Sequence, residues 1–306
     1  MENTINDQAS TLRLIATNNS PIVTGDSTLE SEPAKKESTL PTRTLAISGG
    51  KGGVGKTNLA VNLSLELGKL GNQVTLLDAD FGLANADLLC GVSPKHHLGH
   101  VIAGVKDLDE ILIMLSSSVR LLPSGSGIEE LANFSLASHS KILGELQEME
   151  SYTDFMLIDT AAGLAENVTG VLVSSNEIII VTTPEPTSIV DAYATIKAVQ
   201  RYSPEKQISV VVNNVIGVGD AEKVFRQLNH AVNRFLDRNV DFLGMIPNDS
   251  QLVEAVREQT PITQFAPDTP ASRAVRLIAK QLHTQKRNTP PPLDEAQSFW
   301  DAMIAQ

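Results

Sequence analysis

Cysteine is almost absent: Cys90 is the only one in 306 residues. A lone thiol cannot close an intrachain disulfide or supply the cysteine pair of a zinc or iron–sulfur site, so it reads as a small buried apolar residue. Long apolar runs are missing as well. No stretch approaches the roughly 20 residues needed to span a bilayer, and the N-terminus has neither the basic nor the apolar region of a secretory signal. A cytoplasmic core is therefore expected, with at most peripheral contact at the inner face of the cell membrane. Clustered positive charge is the third deficit. With 24 Lys and Arg against 36 Asp and Glu, the formal net charge is −12. Nonspecific DNA binding, which draws on counterion release by clustered basic residues, is disfavoured. The histidines His96, His97, His100 and His139 have no recognised ligand spacing with carboxylates or cysteines and are expected on solvent-exposed loops.

What is present is enough apolar residue, 42% of the chain, to bury one sizeable α/β core with extensions. The expected organisation is an N-terminal partner-binding segment at 1–16, a disordered Pro-, Ser-, Thr- and Glu-rich linker at 17–42, and a core at 43–282. A polar spacer at 283–292 and an amphipathic helix at 293–306 follow. Ile5, Ala9 and Leu12 fall on one face of a short N-terminal helix that is marginal alone and needs a partner to dock on.

The core is organised around residues 44–70. Thr44 to Ser48 reads as a buried strand, and Leu59, Leu63, Leu67 and Leu70 as one face of a helix. Between them lies Ser48-Gly49-Gly50-Lys51-Gly52-Gly53-Val54-Gly55-Lys56-Thr57-Asn58. The spacing from Gly50 to Gly55-Lys56-Thr57 is that of a phosphate-binding loop. Its glycines let backbone N–H groups point at phosphates, and the helix N-terminus adds partial positive charge. Lys56 is expected to reach the β- and γ-phosphates of ATP, and the Thr57 hydroxyl to hold Mg²⁺. Phe155-Met156-Leu157-Ile158-Asp159 has the matching Walker B pattern, an apolar strand ending in a carboxylate that meets Mg²⁺ directly or through water. Further strands are expected at Gln73 to Leu77, Val119 to Leu122, Glu177 to Thr182, Ile208 to Val212 and Phe242 to Ile246. Helical stretches intervene near Ser188 to Tyr202 and Asp220 to Arg238, and Pro270 to Leu282 reads as the last core helix. Strands alternating with helices predict a doubly wound, mostly parallel sheet.

Lys51 is extra to the ordinary pattern. A loop reading Lys-Gly-Gly-x-x-Gly-Lys-Thr resembles the deviant Walker A ATPases, the MinD and ParA-like family. The resemblance implies that Lys51 reaches ATP bound to a partner subunit, so that two protomers close face to face as an ATP-dependent homodimer. Asp80, in Asp78-Ala79-Asp80, matches the family's switch I aspartate, which orients the attacking water near Mg²⁺. Asp78 is then a structural or supporting carboxylate. Gly163 matches the switch II glycine, whose N–H follows the γ-phosphate. Asn214, with Asn213 as the alternative, matches the asparagine that recognises the adenine edge, and Pro247, Asn248 and Asp249 match the segment that packs over adenine. By the same resemblance Asp80, Lys51 and Lys56 are the catalytic residues. ATP contacts would come from 50 to 58, Gly163, Asn214 and 247 to 249, and Mg²⁺ would meet Thr57, Asp80 and Asp159.

Two stretches are similar to the flagellar branch of that family, the FlhG (FleN) ATPases. One is the Gly82-Leu83-Ala84-Asn85-x-Asp87 continuation. The other is Asp7-Gln8-Ala9-Ser10-Thr11-Leu12-Arg13, similar to the segment that binds the GTPase FlhF, with Asp7, Gln8, Ala9, Leu12 and Arg13 as partner contacts. The resemblance implies a slow ATP hydrolase controlling flagellar number or placement through an FlhF-type GTPase, basal-body proteins or a flagellar transcription regulator. A MinD/ParA-type positioning ATPase with a non-flagellar cargo is the alternative. A DNA-partition ATPase lacks its basic surface here, an iron–sulfur carrier its cysteines, and a tyrosine autokinase its tyrosine-rich tail. A nucleotide-sensing scaffold without turnover is a further alternative. The C-terminal face of Leu293, Ala296, Phe299, Trp300, Met303 and Ile304 departs from the family's membrane-targeting helix. It carries Asp294, Glu295 and Asp301 and no Lys or Arg, so anionic lipid repels it, and docking on the core or on a partner competes with membrane contact.

Overall fold

A computed structural model describes residues 41–80, 85–125, 140–285 and 298–304, all within the compact unit Lys35–Gln306. Residues 1–40, 81–84, 126–139, 286–297 and 305–306 lie outside the described residues, and with them the partner-binding reading of Asp7 to Arg13, most of the linker and spacer, and His139.

The core is one eight-stranded sheet in the order β3-β4-β2-β5-β1-β6-β7-β8. The strands are β1 (Arg43–Ser48), β2 (Val74–Ala79), β3 (Ile113–Ser116), β4 (Val119–Pro123), β5 (Phe155–Thr160), β6 (Glu177–Thr182), β7 (Gln207–Val215) and β8 (Asp241–Pro247). Every neighbouring pair is parallel except β3 with β4. Strands β1, β2, β4 and β5 are buried along their whole length. Their apolar stretches, such as Leu45 to Ile47 and Phe155 to Ile158, follow from this, since both faces of the sheet are covered by helices. Strand β3 alternates half-buried and exposed residues, as befits an antiparallel edge strand.

Helix α1 (Lys56–Lys69) follows β1, and α2 (Ala86–Leu89), α3 (Leu98–Ile102) and α4 (Leu108–Ile111) follow β2. Next come α5 (Ser140–Ser151), α6 (Glu166–Ser174), α7 (Pro186–Tyr202), α8 (Val218–Leu236), α9 (Ser250–Arg257), α10 (Ile262–Phe265), α11 (Pro270–Thr284) and α12 (Phe299–Ile304). Helix α1 is buried almost all round, its leucines packing on β1, β2 and β5 in one core cluster with α11. That burial places the loop at its N-terminus on the carboxyl edge of the central strand, where parallel α/β sheets take ligands.

The histidines depart from the expectation of solvent exposure. His96, His97 and His100 are half-buried, and their rings pack edge-on at centroid separations of 5.0 and 4.2 Å. His97 Nδ1 accepts the Gly99 amide at 3.2 Å, and His100 Nδ1 accepts the His97 amide at 3.3 Å. Together they cap α3, taking the place of the Ser or Asp that usually opens a helix.

The apolar face of α12 docks on its own core. Phe299, Trp300 and Met303 are buried in a cluster with Leu98, Leu146, Met149 and Val171. The Glu150 carboxylate accepts the Ser298 hydroxyl at 2.6 Å and the Phe299 amide at 3.3 Å. Among the described residues no helix is long and apolar enough to cross a membrane.

Candidate functional site

The loop between β1 and α1 is wedged from two sides. A Cβ on Gly50 would lie 2.4 Å from the Asp191 backbone of α7, so only glycine lets the loop pass that helix. Gly55 sits at φ +97° immediately before α1, and its Cβ would meet the Asn213 side-chain nitrogen at 2.3 Å. Gly53 also takes positive φ. These turns hold Lys56 at the first position of α1, where it is 7% exposed. The carboxamide of Asn213, at the end of β7, donates to the Val54 carbonyl at 2.8 Å and so braces the loop from the opposite side.

Lys56, Thr57, Asp78 and Asp80 all act on the carboxylate of Asp159. Asp159 is the penultimate residue of β5, with Asp78 directly beside it in register on β2. The Thr57 side chain hydrogen-bonds Asp159, and the charges of Lys56, Asp78 and Asp80 all act on it. Burial, then the negative charge of Asp78, pushes the Asp159 carboxyl up to about 8 against the pull of Thr57 and Lys56. Burial likewise pushes Asp78 up to about 6, against amide hydrogen bonds from Ala86 and Asp80. Asp159 Oδ1 is buried with no hydrogen-bond partner. Such an orphan costs free energy unless a ligand completes it, and a cation held by Thr57, Asp159 and phosphate oxygens would do so. Among the described residues no group of three His, Cys, Asp or Glu forms a metal cage. Mg²⁺ needs none, because it is usually held by one or two carboxylates together with substrate phosphates and water.

The remaining candidates line the same edge of the sheet with different occupations. Lys51 Nζ pairs with Glu185 Oε2 at 2.5 Å, both half-exposed or more. Gly163 takes φ +101° in the loop after β5. Asn214 is exposed at φ 60°, and its side-chain oxygen accepts from the Asn248 carboxamide. Pro247 ends β8. Asp249 caps α9 through the Gln251 amide at 3.1 Å, and its other oxygen accepts the Ala271 amide of α11 at 3.1 Å. Asn213 and Glu185 are the contributors that sequence reasoning did not single out for these contacts. Glu185 lies in the short loop Thr183-Pro184-Glu185 between β6 and α7. Cys90 is half-buried, and burial, reinforced by the charges of Asp87 and Asp78, pushes its thiol up to about 12.

A family model described as "ParA: NUBPL iron-transfer P-loop NTPase" matches residues 41–283. The chain is 36% identical over 242 residues to the antiactivator FleN of Pseudomonas aeruginosa, spanning 79% of this chain and 86% of that protein. It is 34% identical over 239 residues to the flagellum site-determining protein YlxH of Helicobacter pylori, spanning 78% and 81%. Among solved structures, the septum site-determining protein MinD of Pyrococcus horikoshii, complexed with Mg-ADP, superposes with a TM-score of 0.64 at 25% identity. That match covers 79% of this chain and 96% of that one.

Proposed function

The chain belongs to the ParA/MinD family of P-loop NTPases, and from that membership we propose that it is an ATP-hydrolysing dimerisation switch of the FlhG type. The observation that carries the reading is the pair of lysines in one loop. Lys56 is buried at the helix start, whereas Lys51 stands out at the rim. Only the outward lysine can serve a second subunit.

In this reading the loop from Gly50 to Asn58 holds the phosphates, Lys56 neutralises their charge, and Thr57 and Asp159 hold Mg²⁺. When bound, Mg²⁺ supplies charge neutralisation on the phosphate oxygens. Asp80 orients the attacking water, Gly163 follows the terminal phosphate through its amide, and Asn214 with Pro247 and Asn248 contacts the adenine. Lys51 leaves Glu185 and reaches the partner's nucleotide, so dimerisation depends on ATP. Hydrolysis removes the shared phosphate and returns monomers. The names of the FleN and YlxH relatives support a role in flagellar number or placement. An FlhF-type GTPase, engaged through Asp7 to Arg13, is the proposed partner, with basal-body proteins or a transcription regulator as further ones. Membrane contact is secondary, because the apolar side chains Phe299, Trp300 and Met303 are buried in the core.

Two measurements test this. Wild type should dimerise with ATP and Mg²⁺ and hydrolyse it, while Asp80→Ala should bind ATP, stay dimeric and not turn over. A protein that remains monomeric with a non-hydrolysable analogue would remove the switch. Pull-down with an FlhF-type GTPase, with and without residues 1–13, separates the flagellar reading from a positioning ATPase with another cargo. Absence of binding by the full chain would favour the second.

A further inference from the structure

We propose that Asp78 is a positioning residue for hydrolysis: its carboxylate joins the amides of Asp80 and Ala86 and thereby sets the direction in which the Asp80 side chain leaves the end of β2. The inference rests on the reading of Asp80 as the group that orients water.

Asp78 is 2% exposed. Its Oδ1 accepts the Asp80 amide at 3.2 Å and its Oδ2 accepts the Ala86 amide at 3.1 Å, so one side chain bridges the strand end and the first residue of α2. Its own carbonyl accepts the Ser124 hydroxyl, which fixes the Asp78 backbone to the end of β4. Strand pairing holds it on both sides, in register with Pro123 on β4 and with Asp159 on β5. Burying one carboxylate beside another costs free energy unless each oxygen is used. Both oxygens of Asp78 are used, and on two separate backbone donors. An asparagine offers one acceptor oxygen and would turn an NH₂ toward one of those amides.

The consequence for chemistry is geometric. Asp80 follows Asp78 by two residues, so its backbone leaves the sheet through the amide that Asp78 holds. A water-orienting carboxylate displaced by about 1 Å can lose on the order of 10²-fold in rate while substrate binding is untouched. A residue that braced the fold alone would not produce that split between turnover and binding.

The test uses the full chain carrying Asp78→Asn, assayed with ATP and Mg²⁺. We expect kcat to fall on the order of 10–100-fold, with KM for ATP, Mg²⁺ half-saturation and ATP-dependent dimerisation held close to wild type. Hydrogen exchange at the Ala86 amide should accelerate. An unchanged kcat overturns the proposal, and so does a rise of about tenfold in the Mg²⁺ required, which would make Asp78 a metal ligand. If Asp78→Asn does not fold, Ser124→Ala loosens the same junction from β4. It should lower kcat by a few-fold with KM unchanged, and a folded variant with wild-type kcat overturns the proposal. Asp80→Ala run in parallel keeps the two ideas apart: retained turnover there defeats the reading of Asp80, whatever Asp78 does.

Discussion

At the scale of single residues, the loop glycines are held in place by neighbours that the sequence does not put beside them. Gly55 combines positive φ with the Asn213 carboxamide lying where a Cβ would stand. A side chain there meets backbone strain of about 1–3 kcal/mol as well as the clash. Gly55→Ala should therefore lose about tenfold or more in ATP affinity, read by nucleotide titration, and lower the melting temperature. Asn213→Ala is milder. It removes one hydrogen bond to the Val54 carbonyl, worth about 0.5–1.5 kcal/mol, and should weaken ATP binding without altering preference between ATP and GTP. Loss of base preference instead would assign adenine recognition to Asn213. The buried carboxylates make a pH prediction with an inverted sign. Asp78 and Asp159 are raised, to about 6 and about 8, so at these two positions the native nucleotide-free protein binds more protons than the unfolded chain. Stability is then greatest on the acid side of these values and falls as pH rises through about 6 and about 8. Thermal melts across that window should show a steady decline without nucleotide and a flatter profile with Mg²⁺ and ATP. A melting temperature that rises with pH in the nucleotide-free protein would contradict the burial of these groups.

At the scale of elements, much of the sheet was legible because parallel strands covered on both faces read as unbroken apolar runs. Leu45 to Ile47, Phe155 to Ile158 and Ile178 to Val181 are of that kind, and the glycine loop fixed where β1 ends and α1 begins. The antiparallel edge strand β3 escaped because Ile113–Ser116 offers four residues of alternating exposure, too short for a period to register. The candidate residues of the loop and the strand ends were legible from spacing. Their contacts were not: the Asn213–Val54 bond joins positions 159 residues apart, and the Lys51–Glu185 pair positions 134 apart. The docking of α12 lay between these extremes. Its apolar face was evident, but burial of Trp300 among Leu98, Leu146 and Met149 depends on where α3 and α5 sit. Truncating a fully buried large aromatic side chain costs about 3–5 kcal/mol when the site cannot collapse. A six-residue terminal helix can instead undock, which caps the loss at the free energy of docking. Trp300→Ala should thus lower the melting temperature by only a few degrees yet raise binding of a hydrophobic dye, because the vacated face of α5 and α6 is apolar. A variant with unchanged dye binding would mean that Trp300 contributes little to covering that face.

At the scale of the whole molecule, magnitudes decide how the Lys51–Glu185 pair can act on assembly. Lys51 and Glu185 are 43% and 61% exposed, and an ion pair so open to solvent contributes about 0–1 kcal/mol. Handing Lys51 to a phosphate across a closed interface removes that small contribution and gains a charge-assisted contact shielded from water, worth roughly twice a neutral hydrogen bond. In the proposed dimer the pair would therefore tune assembly without locking the monomer. Each protomer gives up one such pair, so Glu185→Gln should strengthen ATP-dependent dimerisation by no more than about 30-fold, the equivalent of about 2 kcal/mol per dimer. Lys51→Ala should remove the dimer while leaving ATP bound by Lys56 and Thr57. Analytical ultracentrifugation with a non-hydrolysable analogue and Mg²⁺ distinguishes the outcomes. A stable nucleotide-free dimer of Glu185→Gln would show the pair to be a lock, and an undiminished dimer of Lys51→Ala would place the subunit contact elsewhere on the surface. The salt dependence adds an independent check. Raising ionic strength screens an exposed pair far more than a contact enclosed between subunits, so the advantage of Glu185→Gln over wild type should shrink toward nothing at high salt, while the requirement for Lys51 persists.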